Sequence, residues 1–263
     1  MNMWKAGRRH LCNPIRLIVA RSTDLFILTT CVMLLVLQAD AQSQFSFPGQ
    51  ASSPDEFDAY LVVLGKTSPK EIISATADFE RGWPHSELIA HVFELEAEAY
   101  TSLGDSTNAI LSDERALDGA PDNLVVLANL AYLIANSATT AEQLARAEEY
   151  AQRELKLSQT ILIPKKISPQ EWGDIQSGVG STAHASLGLV AYKRGNLADA
   201  IREFEAAVKL EHVPDPAQFY RLGMLYRATG NQSKALEMLR RASESTDPTI
   251  RQLAQKELSR ISR

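Results

Sequence analysis

Between Ser181 and Pro248 the chain repeats itself. At a shift of 35 residues, Leu187-Gly188 meets Leu222-Gly223, Gly195 meets Gly230, Ala200 meets Ala235 and Ala207 meets Ala242. Phe204 lies opposite Leu239, and Tyr192 is one step out of line with Tyr226. Self-similarity at this period marks stacked supersecondary units, each too small to bury its own apolar face alone. The spacings say what the unit is. Leu187, Gly188 and Ala191 share one face of a first helix. Gly195 ends that helix, since a residue in the left-handed region is least costly as Gly. Asn196 then starts a turn, and Ala200, Phe204 and Ala207, at i, i+4 and i+7, form the inner stripe of a second helix. Small residues at Gly188, Ala200 and Ala207 let the two helices approach closely. The unit is a helical hairpin, and the predicted fold class is all-α, a solenoid of such hairpins.

In order of markers the pattern resembles the tetratricopeptide repeat (TPR) family: aromatic, Leu-Gly, Tyr, Gly, Ala, aromatic, Ala, Pro. The copy at 216–249 carries Phe219, Leu222, Gly223, Tyr226, Gly230, Ala235, Ala242 and, one place late, Pro248. The copy at 181–215 carries Leu187, Gly188, Gly195, Ala200, Phe204 and Ala207, with His184 at the first aromatic position and His212 where Pro is usual. The resemblance implies a right-handed superhelix whose concave wall, formed by the first helices, holds a peptide or a helix of a partner protein.

Upstream, the period returns between Ala90 and Asn123 at Phe93, Ala97, Tyr100, Gly104, Ala109, Ala116 and Pro121, with Glu96 and Asp113 departing from the pattern. The next copy keeps Leu127, Leu130, Ala131 and Ile134, then Ala147, Ala151 and Leu155. There Glu154 replaces a small residue, so it is expected to loosen the packing or face solvent. The predicted organisation is a degenerate hairpin at 54–89, two repeats at 90–161, an insertion at 162–180, two repeats at 181–249 and an amphipathic capping helix at 250–263. In the first hairpin Phe57, Tyr60, Leu61 and Leu64 are expected on one face, and Ser68-Pro69-Lys70-Glu71 reads as a capping box with Pro in the first helical position. A second capping box, Ser168-Pro169-Gln170-Glu171, starts a helix inside the insertion that is expected to run on into the helix of Leu187-Gly188, with Gly173, Gly178 and Gly180 as candidate kinks. Trp172 reads either as a core anchor over the preceding repeat or as a recognition aromatic.

The N-terminus has the layout of an export signal. Lys5, Arg8, Arg9, Arg16 and Arg21 precede a mostly apolar run from Leu25 to Leu37, and Ala39-Asp40-Ala41 places small residues for cleavage before Gln42. The run is short for a membrane span, though an uncleaved signal anchor fits the same residues. Residues 1–41 are therefore expected to be a signal peptide and 42–53 a polar tether, with the protein periplasmic or secreted and, after cleavage, not in the membrane. Both cysteines, Cys12 and Cys31, would leave with the leader. From Gln42 onward the chain has 22 Lys and Arg against 30 Asp and Glu, which disfavours a nucleic-acid surface.

No motif for chemistry is legible. The five histidines have no metalloprotease spacing, and there is no phosphate loop or nucleophile elbow. No enzyme activity and no cofactor are expected, and the partner is expected to be a protein or peptide bound to a scaffold or adaptor, as in an envelope assembly or secretion complex. Carried onto this sequence, the family's concave wall is His91, Glu94 and Glu98, then Val125, Ala128 and Tyr132, then Ala185, Leu189, Tyr192 and Lys193, then Tyr220, Met224 and Arg227. Glu94 and Glu98 make its N-terminal end acidic; the C-terminal end is apolar, aromatic and basic. The Lys and Asn pair with which some family members grip a C-terminal carboxylate is missing. The wall is expected to hold an apolar segment at its C-terminal end, with an acidic group near Lys193 or Arg227, unless Tyr192 and Tyr220 only pack against neighbouring helices.

Overall fold

A computed structural model describes residues 49–163, 167–211 and 214–261. Among them are eleven helices and no strand. In chain order they are α1 Pro54–Leu64, α2 Pro69–Gly82, α3 Ile89–Ser102, α4 Ser106–Gly119, α5 Leu124–Ser137, α6 Ala141–Ser158, α7 Pro169–Lys193, α8 Leu197–Leu210, α9 Pro216–Ala228, α10 Gln232–Ser243 and α11 Pro248–Ile261. Consecutive helices pair into five hairpins, α1/α2 to α9/α10, and α11 covers the last of them. The expected leader and the tether up to residue 48 lie outside the described residues.

Three of the hairpins share one turn. Gly104, Gly195 and Gly230 have φ of 76°, 81° and 82°, the left-handed region where only Gly is unstrained. The next residue does two jobs. Its backbone N–H reaches back over the turn, Asp105 to Tyr100 (2.9 Å), Asn196 to Ala191 (2.9 Å) and Asn231 to Tyr226 (2.8 Å). Its side chain accepts the backbone N–H of Asn108, Asp199 and Lys234 respectively and so caps the following helix. A Gly followed by Asp or Asn thus closes one helix and opens the next.

Inside the hairpins the small residues act as their spacing predicts. Ala200 and Ala207 are fully buried on the same stripe of α8 as Phe204, and Ala235 and Ala242 on the same stripe of α10 as Leu239. A Cβ on Gly188 would stand 2.9 Å from the Phe204 ring, and one on Gly223 would stand 2.7 Å from Leu239 Cγ. Both glycines are sites of close helix approach.

Several expectations are revised. Ser68 sits at the start of α2, with Pro69 next, but its side chain makes no capping bond. The 168–171 capping box is complete: Ser168 Oγ accepts Glu171 N (3.2 Å), and the Glu171 carboxylate accepts Ser168 N (3.0 Å). From there α7 runs unbroken for 25 residues, so residues 169–180 of the expected insertion are the first half of a repeat helix. Trp172 is buried with Leu124, Ala128, Ile167 and Val179, anchoring that half over α5. Residues 49–53 are held between α1 and the segment before α3: Gln50 N donates to Glu87, and Ser52 N donates to the buried Glu56 carboxylate. On α1, Tyr60 and Val63 point inward with Phe79 and Val92, whereas Phe57 and Leu61 are half exposed. Glu154 does not face solvent and finds no hydrogen-bond partner among the described residues. It is 0% exposed, and both carboxylate oxygens lack a hydrogen bond. Burial raises its pKa to about 8.

Candidate functional site

The first helices of the hairpins carry the side chains expected to form the wall, and the structure sorts these into three groups. The N-terminal group lies on α1 and α3. The Tyr60 hydroxyl and His91 Nδ1 are 2.7 Å apart and their rings are 5.8 Å apart. Burial holds His91 neutral, with its pKa pushed down to about 4. Burial, and then the Glu94 charge, push Tyr60 up to about 12. Glu94 is half-buried and accepts a hydrogen bond from the Asn123 amide (3.2 Å). Burial raises its pKa to about 7, the Asn123 bond opposes that rise and the Glu98 charge adds to it. Glu98 is exposed. Glu96, on the opposite side of α3, is buried and accepts a bond from Ser112 Oγ (2.7 Å), with Arg115 at 3.7 Å. Its carboxylate stands where the repeat pattern has Leu, and a hydroxyl on α4 satisfies it.

The middle group is filled by the protein's own side chains. Ala128, Tyr132, Ala185 and Leu189 are all buried. The Tyr132 hydroxyl accepts a bond from the buried Arg221 guanidinium on α9 (2.8 Å). Lys193 is exposed, but its ammonium donates to the carbonyls of Asn136 (2.9 Å) and Ala138 (2.8 Å). It thereby satisfies orphan acceptors at the negative end of α5. Desolvation there lowers its pKa. Tyr192, beside it, is exposed.

The C-terminal group meets the capping helix. Tyr220 is buried in a cluster with Ile250 and Ala254 of α11, and Met224 is half-buried against the same cluster. Arg227 pairs with Glu257 of α11, which also binds Arg260. An apolar segment with an acidic group for Arg227 is present, as expected of a ligand, but it is the chain's own α11. The expected role of Lys193 is likewise revised, because carbonyl oxygens of α5 hold it.

The sequence places Phe57, Tyr60, Leu61 and Leu64 on one face of α1, and the structure buries Tyr60 but leaves Phe57 and Leu61 half exposed. Beside them lies a recess of about 560 Å³ lined by residues 49–54, Phe57, Tyr60 and Leu88. The spacing carries no signal for that exposure, because Phe57, Tyr60, Leu61 and Leu64 at i, i+3, i+4 and i+7 form one continuous helix face.

A tetratricopeptide repeat family model matches residues 219–246, which span most of α9 and all of α10. The same hairpin geometry recurs along the array. The fold is a TPR-type solenoid of helical hairpins. Among solved structures, it is similar to the "MamA RS-1 ArsTM double mutant" at 15% identity over 79% of this chain and 98% of the other, with a TM-score of 0.53. It is also similar to a thermophilic TPR protein of Thermus thermophilus, at 18% identity over 78% and 99% of the two chains and a TM-score of 0.48. No curated protein matches the sequence. The TPR scaffold is consistent with protein–protein interaction. Among the described residues, no helix is long and apolar enough to cross a membrane, and no His, Cys, Asp and Glu side chains are grouped to hold a metal ion.

Proposed function

We propose that this TPR protein is an exported adaptor that holds a segment of a partner protein on the wall made by its first helices. The observation that supports this is the uneven filling of that wall. Ala128, Tyr132, Ala185, Leu189 and Tyr220 are buried, with Arg221 and α11 packed against the wall, while Phe57, Leu61, Glu94 and Glu98 keep accessible surface at the N-terminal end. Exposed apolar side chains beside fixed polar ones are what a recognition surface requires. The export reading rests on the basic residues, apolar run and Ala39-Asp40-Ala41 of the leader, and a role in an envelope assembly or secretion complex follows from it. The same leader supports a second reading, a subunit tethered by an uncleaved signal that recruits partners to a bilayer. N-terminal sequencing separates the two: Gln42 as first residue means cleavage. Adaptor function is tested by placing a photo-crosslinking residue at Glu98, and at the exposed Leu111 on α4 as control, in the producing cell. Crosslinks to a partner from position 98 and none from 111 are expected, and equal yields from both would overturn the reading.

A further inference from the structure

We infer, resting on the adaptor reading above, that the N-terminal end of the wall docks a cationic amphipathic segment of a partner protein. Phe57 and Leu61, one turn apart on α1, are 48% and 44% exposed, and the recess beneath Phe57 and Leu88 opens next to them. Two apolar side chains exposed one turn apart beside a recess, with acidic groups alongside, have the make-up of a contact surface rimmed by polar residues. The patch runs toward the acidic part of the wall: the Phe57 and Tyr60 rings are 6.4 Å apart, Tyr60 bonds to His91 on α3, and Glu94 follows about one turn along that helix.

Charge narrows the occupant. Neither α1 nor α3 contains a Lys or Arg. Residues 49–104 carry ten Asp and Glu against three Lys and Arg, whereas residues 181–263 carry nine against thirteen. Of the acidic groups on these two helices, Glu56 and Glu96 are turned inward onto Ser52 and Ser112. Glu94 and Glu98 face outward; Glu94 is half-buried, its hydrogen-bond donor is the neutral Asn123 amide, and it forms no ion pair among the described residues. An acidic segment would be repelled here. A purely apolar one would cover Phe57 and Leu61 while further desolvating Glu94 without a counter-charge, which is unfavourable. A segment with Lys or Arg beside Leu- or Phe-like side chains satisfies both halves of the surface, and the acidic field speeds its arrival.

The test uses a labelled helical peptide of Leu and Lys, its charge-reversed Leu–Glu counterpart and a Lys–Ser peptide without apolar residues, each titrated with the purified protein by fluorescence anisotropy. The Leu–Lys peptide is expected to bind, the Leu–Glu peptide to fail and the Lys–Ser peptide to bind at least about tenfold more weakly. Leu61→Ser and Glu98→Gln, both at exposed positions, are each expected to weaken Leu–Lys binding about tenfold with melting temperature unchanged, a loss of about 1.4 kcal/mol. Equal binding of the Leu–Lys and Leu–Glu peptides, absence of binding, or affinity indifferent to both substitutions would overturn the inference. Crosslinking from position 98 that persists while no peptide binds sinks this inference and leaves the adaptor reading intact. Peptide binding without partner crosslinks from the wall does the reverse.

Discussion

Arg221 on α9 donates to the hydroxyl of Tyr132 on α5 at 2.8 Å, across 89 residues of sequence and past the intervening hairpin α7/α8. In an ideal solenoid each repeat touches only its neighbours, so stability is a sum of nearest-neighbour terms. This bond is a contact between non-adjacent repeats. Tyr132→Phe removes the acceptor with almost no change in shape. It is expected to destabilise the protein by about 1.5–3 kcal/mol, the range for bonds to charged donors. Urea unfolding of wild type and variant measures it, and coincident curves would mean the bond contributes nothing net.

Glu154 makes stability fall as pH rises. Its folded pKa of about 8 lies above its ordinary value of 4.5. Between those values the folded state holds the extra proton, so raising the pH favours the unfolded chain. The protonated form is favoured by full burial without a hydrogen-bond partner, and each pKa unit is worth about 1.4 kcal/mol. Glu154→Gln removes this titration. The variant is expected to gain stability relative to wild type as pH rises from about 5 to 8.5. Denaturation at both pH values checks the sign. Glu94, also raised, contributes in the same direction, and His91, lowered to about 4, in the opposite one. For this reason the difference between variant and wild type is the quantity to read.

Two glycines without neighbours around a new methyl group are expected to respond oppositely to alanine. Gly195 has φ +81° and Gly173 lies within α7, and a Cβ at either would meet nothing within 4 Å. Gly195→Ala therefore isolates the left-handed backbone strain, a loss of about 1–2 kcal/mol. Gly173→Ala restricts the unfolded chain and suits the helix, a gain of about 0.5–1 kcal/mol. Thermal melts of the two variants should move in opposite directions.

Ala200 and Ala235 are each 0% exposed at the centre of a hairpin. Replacing either by Leu is expected to overpack the interface by about 1–3 kcal/mol. An unchanged melting temperature in both variants would contradict the close approach of the paired helices.

What the sequence made legible follows from how local the signals are. The positions of Gly188, Gly195, Ala200, Phe204 and Ala207, and the start of α7 at its capping box, are set by side-chain size and backbone conformation within a hairpin, and the spacing carries both. The wall was less legible because its exposure depends on elements far away in sequence. Nothing near Tyr132 announces Arg221. Nothing near Tyr220 says that α11 folds back over it instead of only ending the stack. Glu154 was misread for a related reason: position alone placed it on the buried stripe of α6, and only its charge argued for solvent. Phe57 and Leu61 show the limit from the other side. An apolar stripe on the first described helix meets no preceding helix among the described residues, so hydrophobicity there does not imply burial.

The length of α7 has its own consequence. Its additional turns precede the stretch that pairs with α8, so the phase of Leu187 and Gly188 against Phe204 is independent of them. The front of the helix is an awning over α5. Trimmed back by whole turns, it would bare Leu124 and Ala128 to water and leave the α7/α8 junction in step. The chain can therefore vary the width of that shelter without renegotiating the stacking of its neighbours.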